Sequence, residues 1–242
     1  LDRHFGSLVR AGLLLGYSSS DLSWDDPGNS GQMNGKHIGL YGSTHLSGFY
    51  IDTTAGYTSL DDSAGRYINT PAFTAGATGD FTSSIWGGSL SGGYDFTYGG
   101  MRLGPTASLG YLSLDQEGFT ESGAEDFNLQ VKGINAESLT AGFGLRLLSV
   151  IEKFGWRFTP HATLGLQHEF KDDAVTISST FVDYPSASFD VSGAEPAANT
   201  ALASLGLSAK YGPNLLVYLD YAATFSGEQN SQLLSGGLAW LF

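Results

Sequence analysis

The sequence predicts an all-β protein, a transmembrane up-and-down antiparallel β-barrel of about twelve strands that forms a single domain over residues 1–242. Three observations lead to this prediction. Side chains alternate with a period of two through most of the chain, which is the pattern of β-strands. On nearly every segment one face is large and apolar, whereas the other carries mainly Gly, Ser and Thr. The connecting segments alternate in length, as they do in membrane barrels.

The composition excludes several other classes of protein. The 242 residues include 34 Gly, no Cys and only 14% charged residues, and the formal net charge is −13. No basic stripe for nucleic acid is present, and neither a disulfide scaffold nor a Cys-ligated zinc site is possible. The first residues show no signal-peptide pattern, so we expect a mature protein or an excised domain. No apolar run approaches the roughly 20 residues of a membrane helix.

The first half of the chain contains five alternating segments. Residues 101–112 are the clearest, because Leu103, Leu109 and Tyr111 share one face while Arg102 and Gly110 share the other. The five predicted strands are residues 7–17, 36–45, 49–60, 84–96 and 101–112.

The second half contains seven more alternating segments. In residues 138–147, for example, Phe143 and Leu145 lie opposite Gly144 and Arg146. The seven predicted strands are residues 138–147, 157–170, 175–182, 187–192, 201–211, 215–225 and 232–242.

The connections between these segments fall into two alternating sets. The short ones are residues 46–48, 97–100, 152–155, 183–186 and 212–214. The polar and mostly longer ones are residues 18–35, 61–80, 115–135, 193–200 and 226–231, with residues 171–174 as a short exception. A membrane barrel sorts its connections in this way, with tight turns on the periplasmic side and long loops outside, and a soluble sandwich does not.

The chemistry of the two faces favours a membrane barrel. A soluble barrel turns its bulky apolar face inward and covers its outside with Lys and Glu. Here the polar face is small and almost uncharged, so we expect it to line a crowded lumen while lipid covers the apolar face. The sheet must then close, because each unpaired backbone group costs several kcal/mol in hydrocarbon. Aromatic girdles at the membrane interfaces are expected from Trp86, Tyr94, Tyr111, Tyr211 and Trp240.

Within the predicted strands, the few charged residues alternate in step with the small residues and therefore lie on the same face. We therefore expect them to face the lumen, since an Arg on the lipid face costs roughly 2–4 kcal/mol. One interpretation is a lumen with a basic side and an acidic side that binds a polar segment, and the other is mutual salt bridges that only fix the shape of the barrel. The predicted lumen charges are Arg10, Asp52, Asp95, Arg102, Arg146, Arg157, Glu169, Lys210 and Asp220.

The last predicted strand ends on an aromatic residue with no polar tail after it. Its end has a polar residue, then a glycine and two apolar residues at fixed spacing, at positions Ser235, Gly237, Trp240 and Phe242. This order resembles the C-terminal signal that the outer-membrane assembly machinery reads on bacterial β-barrels. The alternative is an ordinary buried edge strand that ends in Phe.

The chain from residue 101 onward resembles the translocator β-domain of autotransporters, the type V secretion family, and the earlier residues resemble it more loosely. The matching stretches are residues 102–111 (RLGPTASLGY), 159–170 (TPHATLGLQHEF), 189–193 (FDVSG), 201–209 (ALASLGLSA), 217–221 (VYLDY) and the final SGGLAWLF. The resemblance implies a twelve-stranded barrel that encloses a helix and carries an N-terminal passenger to the cell surface. Only residues 1–6 precede the first predicted strand, so we expect the passenger and most of the pore linker to have been cut or cleaved off.

The predicted location is the bacterial outer membrane, where we expect the chain to be a monomer with its C-terminus in the periplasm. The expected partners are outer-membrane lipid or detergent, the barrel assembly machinery and the passenger with its linker, and nucleic acid is not expected.

We expect no enzymatic activity, cofactor or metal. His161 and His168 have opposite parity, so they cannot share a metal or a nucleophile, and the residues H-A-T-L at 161–164 do not match the His-x-Ser-Asn signature of outer-membrane phospholipases. The Asp pairs at 61–62 and 172–173 offer calcium ligands, but adjacent acids in loops are usually solvated. The alternative function is a stand-alone barrel that acts as a small-solute pore or a lipid-modifying enzyme.

Overall fold

The chain forms β-strands over most of the length that the computed structural model describes, which comprises residues 2–6, 8–23, 28–71, 73–171, 173–227 and 230–240. The strands are β1 (Asp2–Phe5), β2 (Val9–Ser23), β3 (Ser30–Leu46), β4 (Phe49–Thr70), β5 (Phe73–Tyr94), β6 (Phe96–Tyr98), β7 (Met101–Gln116), β8 (Phe119–Thr120), β9 (Leu129–Val131), β10 (Ile134–Ser149), β11 (Ile151–Lys153), β12 (Trp156–Glu169), β13 (Thr176–Phe181), β14 (Ser188–Ser192), β15 (Asn199–Tyr211), β16 (Leu215–Phe225) and β17 (Asn230–Trp240).

The main sheet is an antiparallel meander that follows the chain. Its order is β1-β2-β3-β4-β5-β7-β10-β12-β15-β16-β17, and β6 and β11 extend it by pairing with β7 and β12. The sheet curls, and within the described residues its end strands β1 and β17 do not pair. The predicted up-and-down antiparallel topology is confirmed.

Two ends of the main sheet differ in their connections. Tight turns at residues 47–48, 99–100, 154–155 and 212–214 define what we call the short-turn end. The opposite end, which carries the longer connections, is the long-loop end. The backbone at Gly48 and Gly155 has positive φ angles of 93° and 79°, which L-residues with side chains adopt at a cost.

The bulky apolar face of the main sheet is its more exposed face. Leu109, Leu166 and Leu238 expose 53%, 70% and 71% of their surface, whereas their neighbours Ser108, Gln167 and Gly237 are half-buried. Monomeric soluble proteins rarely leave an apolar surface of this extent open to water. The described residues contain no helix long and apolar enough to cross a membrane.

Two of the predicted barrel strands belong to a different sheet, so that part of the prediction is wrong. Predicted strands 175–182 and 187–192 correspond to β13 and β14, which form a four-stranded sheet in the order β14-β13-β9-β8 at the long-loop end. We call it the long-loop sheet. Alternation identified both segments as strands, but it carries no information about which neighbour they pair with. The main meander consequently has eleven strands in the described residues.

Several predicted loops are also wrong, because strands continue beyond the apolar segment. Residues 61–80 form the outer halves of β4 and β5, and most of residues 18–35 belong to β2 and β3. Residues 115–135 include β8, a 3-10 turn at Glu125–Phe127 and β9. These stretches contain single apolar residues such as Phe73, Phe119 and Leu129, but they lack the continuous apolar alternation on which the prediction depended.

The long-loop sheet packs against the extended β4–β5 hairpin. The Phe81 and Phe119 rings stack with their centroids 4.6 Å apart, and Thr78 and Ser122 exchange two backbone hydrogen bonds of 2.9 Å. Arg66 donates two hydrogen bonds to the carboxylate of Glu121, at 3.1 Å from Nε and 2.6 Å from Nη2. Because the Glu121 side chain is only 9% exposed, this ion pair links the two elements in a water-poor setting.

Candidate functional site

The candidate site is the face of the main sheet that carries the small residues, which we call the lumen face. The pairing register connects its positions from strand to strand, as in the row Arg10, Ser43, Asp52 and Ser91. By this register, all nine predicted lumen charges lie on the same face. That this face encloses a lumen stays a prediction, since β1 and β17 are not paired in the described residues.

Most of these nine charges lie close to the short-turn end. Asp220 is at mid-height on β16, and Glu169 is at the long-loop end of β12. The seven at the short-turn end are Arg10, Asp52, Asp95, Arg102, Arg146, Arg157 and Lys210.

Arg157 forms an ion pair within its own hairpin. Its Nε and Nη2 atoms donate to Glu152 Oε1 at 2.9 and 2.7 Å, and both side chains are more than 60% exposed. Lys210 lies directly across from Arg157 on β15. The three residues line an open pocket of about 490 Å³ together with Phe154 and Trp156. The carboxylate partner of Arg157 is therefore Glu152, which the sequence pattern did not predict.

Arg146 reaches across two strands to an aromatic ring. Its guanidinium carbon lies 4.6 Å from the centroid of Tyr50, although β5 and β7 separate their strands in the sheet. Tyr50 is 4% exposed and its ring stacks near His45, with centroids 6.1 Å apart. The ring has room because its cross-strand neighbour is Gly93, where a Cβ would lie 2.7 Å from the Tyr50 hydroxyl. This contact holds a cation against an aromatic face.

His161 and Asp220 meet over a glycine. The row His161, Gly206 and Asp220 runs across β12, β15 and β16, and His161 Nε2 lies 2.9 Å from Asp220 Oδ1. The distance is that of an ion pair, but the pair lacks the alignment of a hydrogen bond. The His161 Nδ1 atom lies 3.4 Å from the Thr159 carbonyl oxygen. Parity placed both residues on one face, but only the register shows that they touch.

Glu169 is held at the long-loop rim by three donors. Its carboxylate accepts hydrogen bonds from Ser138 Oγ at 2.5 Å and from the backbone N–H groups of Leu139 at 2.8 Å and Lys171 at 3.0 Å. The neighbouring Glu137 carboxylate accepts a hydrogen bond from Lys171 Nζ. This hydrogen bond raises the pKa of Lys171 above its ordinary value.

Three of the four predicted assembly-signal residues lie on β17, on both of its faces. Ser235 is opposite Asp220, Gly237 is opposite Tyr218, and Trp240 is opposite Leu215. Trp240 is 58% exposed on the apolar face, whereas Gly237 lies beneath the Tyr218 ring, where a Cβ would be 2.6 Å away. Phe242 lies outside the described residues. Recognition as an assembly signal stays a prediction.

The predicted girdle aromatics lie at the two ends of the apolar face. At the short-turn end, Trp156 and Tyr211 pack with centroids 5.0 Å apart and Tyr94 packs on Phe49 at 4.6 Å. Toward the long-loop end, Trp86 packs on Tyr111 at 4.9 Å.

The described residues contain no group of three or more His, Asp or Glu side chains that could hold a metal ion. Asp61 and Asp62 lie on successive positions of β4 and therefore on opposite faces of it. Asp62 Oδ2 accepts a hydrogen bond from Ser83 at 2.6 Å, and Asp61 pairs with Lys36 at 3.2 Å. In the second predicted pair, Asp172 lies outside the described residues.

Comparison with known proteins places this geometry in one family. The model of the family described as "Autotransporter beta-domain" matches residues 1–222. A curated relative, the probable autotransporter YpjA of Escherichia coli K12, is 28% identical over 183 residues, which is 73% of this chain. The chain spans only 11% of that relative's length.

Two solved structures share the fold. The translocator domain of the autotransporter NalP from Neisseria meningitidis superposes with a TM-score of 0.75 and 16% identity, over 100% of this chain and 77% of that one. The beta domain of the Bordetella autotransporter BrkA superposes with a TM-score of 0.64 and 20% identity, over 97% of this chain and 84% of that one.

Proposed function

Because the chain belongs to the autotransporter beta-domain family, we propose that it is the outer-membrane translocator of a longer protein, which anchors an N-terminal passenger and supports its export to the cell surface. The observation that carries the proposal is the continuous family match over residues 1–222, which coincides with a meander whose exposed face is apolar. The sheet is of the outer-membrane β-barrel type, so its apolar face contacts lipid and the lumen face surrounds the exported polypeptide.

The proposal assigns a task to each surface. The apolar face with its aromatic ends anchors the barrel in lipid. The lumen face holds the linker between barrel and passenger, and the short-turn end with the C-terminus faces the periplasm. The barrel assembly machinery inserts the chain, which works as a monomer. We assign no catalysis to the barrel itself, so any enzymatic activity belongs to the passenger.

The full-length gene product tests this function in cells. External protease is added to intact cells that express the gene containing residues 1–242, and the residues upstream of Leu1 are followed by immunoblot. We expect them to be cleaved at the surface, and to stay protected in the periplasm when residues 1–242 are deleted. Protected upstream residues in both cases, or a signal peptide that ends directly before Leu1, would support a stand-alone pore instead.

The assembly role of the C-terminal residue has its own test. We predict that deletion of Phe242 sharply lowers the amount of heat-modifiable barrel in outer-membrane fractions, because the terminal aromatic completes the recognised pattern. Substitution of Phe242 by Tyr keeps an aromatic ring and is expected to retain most of the assembly. Normal assembly of the deletion variant would show that Phe242 is not part of a signal.

A further inference from the structure

Four consecutive strands of the main sheet carry a cation on the lumen face near the short-turn end. The strands β7, β10, β12 and β15 are neighbours in this order, and their cations are Arg102, Arg146, Arg157 and Lys210. We call these four side chains the cationic wall. The adjoining strands differ, because β4 carries Asp52 and the end of β5 is followed by Asp95. These two acidic residues therefore adjoin the four cationic strands, and Glu152 of β11 is the carboxylate that lies beside the wall.

Internal neutralisation of the cationic wall is incomplete. Among the ion pairs in the described part of the chain, only Glu152 contacts the wall, through Arg157. Arg157 still exposes 62% of its side chain, Arg102 is exposed and Lys210 is half-buried. Arg146 stacks on Tyr50, an interaction that leaves its positive charge uncancelled. The wall keeps a net positive charge that faces the space in front of the sheet.

The basic residues of this acidic chain are concentrated at the end of the sheet that carries the cationic wall. Seven of the eleven Lys and Arg residues lie at the short-turn end, although the formal net charge of the chain is −13. They are Arg3, Arg10, Arg102, Arg146, Lys153, Arg157 and Lys210. Acidic residues predominate at the long-loop end, for example Asp61, Asp80, Glu117, Glu121 and Glu137. Positive charge is thus concentrated at the short-turn end, where it attracts a negatively charged segment.

The pocket beside the wall suits a peptide better than a free ion. Arg157 and Lys210 border it together with Phe154, and its volume is about 490 Å³. Arginine offers a planar donor pair that matches a carboxylate, and the exposed Phe154 offers apolar surface to the aliphatic part of a side chain.

We propose that the cationic wall binds a carboxylate-rich segment of the polypeptide that passes through the barrel, at the short-turn end of the lumen. The inference rests on the proposed translocator function and deepens it by naming the chemistry of the bound segment. The wall retains the segment by ion pairs with Glu or Asp side chains, while Asp52 and Asp95 disfavour carboxylates on the adjoining strands.

Peptide binding to the purified, refolded chain tests the inference. Fluorescein-labelled oligoglutamate and oligolysine are titrated against residues 1–242 in detergent micelles, and fluorescence anisotropy is measured at low and high salt. We expect oligoglutamate to bind more tightly than oligolysine, and its affinity to fall at high salt because exposed charges are screened. Replacing Arg102 and Lys210 together by Gln should weaken oligoglutamate binding roughly two- to fivefold for each charge removed.

Control variants show whether the affinity for oligoglutamate depends on the position of the removed charges or only on their number. Lys36→Gln combined with Lys132→Gln removes the same charge at the long-loop end and should leave the affinity unchanged, whereas Arg102→Lys keeps the charge and should retain binding. Heat-modifiable migration verifies that each variant is folded. Equal weakening by both double variants, or preference for oligolysine, would overturn the inference. If either of these two results is obtained and the barrel still exports its passenger in cells, this inference fails while the proposed function stands.

Discussion

At the scale of single residues, glycine decides which contacts the lumen face can make. His161 and Asp220 lie on strands separated by β15, and they meet because Gly206 stands between them. A Cβ at Gly206 would lie 2.0 Å from Asp220 Oδ1 and 2.2 Å from His161 Nε2. Both atoms are at the ends of flexible side chains that are 36% exposed, so an added Cβ displaces the side chains and not the backbone. The sequence placed all three residues on one face by parity, but a contact between strands depends on register, which alternation does not specify.

We predict that Gly206→Ala destabilises the folded barrel by about 1 kcal/mol, the low end of the cost of overpacking, because the displaced side chains are only half-buried. Heat-modifiable migration of the refolded chain reports the folded fraction at each urea concentration, and the urea midpoint of unfolding is the measured quantity. Gly76→Ala is the matched control, because it lies in a strand and an added Cβ there has nothing within 4 Å. Equal midpoints for both variants would show that the His161–Asp220 contact does not depend on the glycine.

Gly237 belongs both to the predicted assembly signal and to a packing contact with Tyr218, and a double variant separates the two roles. Gly237→Ala places a Cβ 2.6 Å from the Tyr218 ring, so we predict reduced assembly in cells. If packing is the cause, adding Tyr218→Ala should restore assembly, because the ring that clashes is gone. Tyr218→Ala alone is the control. Failure of the double variant to recover would instead favour direct recognition of Gly237 by the assembly machinery.

At the scale of elements, the strands are longer than a membrane requires. β4 and β5 each contain 22 residues, about twice the 9–11 that a tilted strand needs to cross the hydrocarbon. The sequence predicted only residues 49–60 and 84–96 as strands, since apolar alternation is present only where lipid covers one face. Beyond that segment neither face is continuously apolar, and the β4–β5 hairpin packs against the long-loop sheet. Strand length outside the membrane could not be predicted from periodicity.

The Arg66–Glu121 ion pair is expected to fasten the long-loop sheet to the β4–β5 hairpin. We predict that Arg66→Met increases the rate of protease cleavage within residues 117–133, because the nearly buried Glu121 carboxylate loses its partner. Limited proteolysis of the refolded chain measures the rate. Lys36→Met is the control, since the Lys36–Asp61 pair is exposed at 72% and 62% and should contribute little. Unchanged cleavage in Arg66→Met would show that the aromatic contacts and the Thr78–Ser122 backbone hydrogen bonds hold the sheet without the ion pair.

At the scale of the whole molecule, the general design followed from the sequence and the assignment of strands to sheets did not. Ten of the twelve predicted strands lie in the main meander, and β13 and β14 do not. The other two strands of their sheet, β9 beside β13 and β8 beyond it, have only three and two residues, too few for any alternation to be recognised. In the same way, the common face of Arg146 and Tyr50 was predictable from parity, whereas their contact across β5 and β7 depends on the curl of the sheet.

The central claim is that the bulky face of the sheet meets lipid while the small-residue face is enclosed. Nitroxide labels on single cysteines at Leu109 and Leu205 test it in reconstituted bilayers, with labels at Ser108 and Ser204 on the opposite face as controls. The account predicts that the labels at Leu109 and Leu205 collide mainly with dissolved oxygen, and those at Ser108 and Ser204 mainly with a water-soluble nickel complex. Nickel-accessible labels at Leu109 and Leu205 would contradict it.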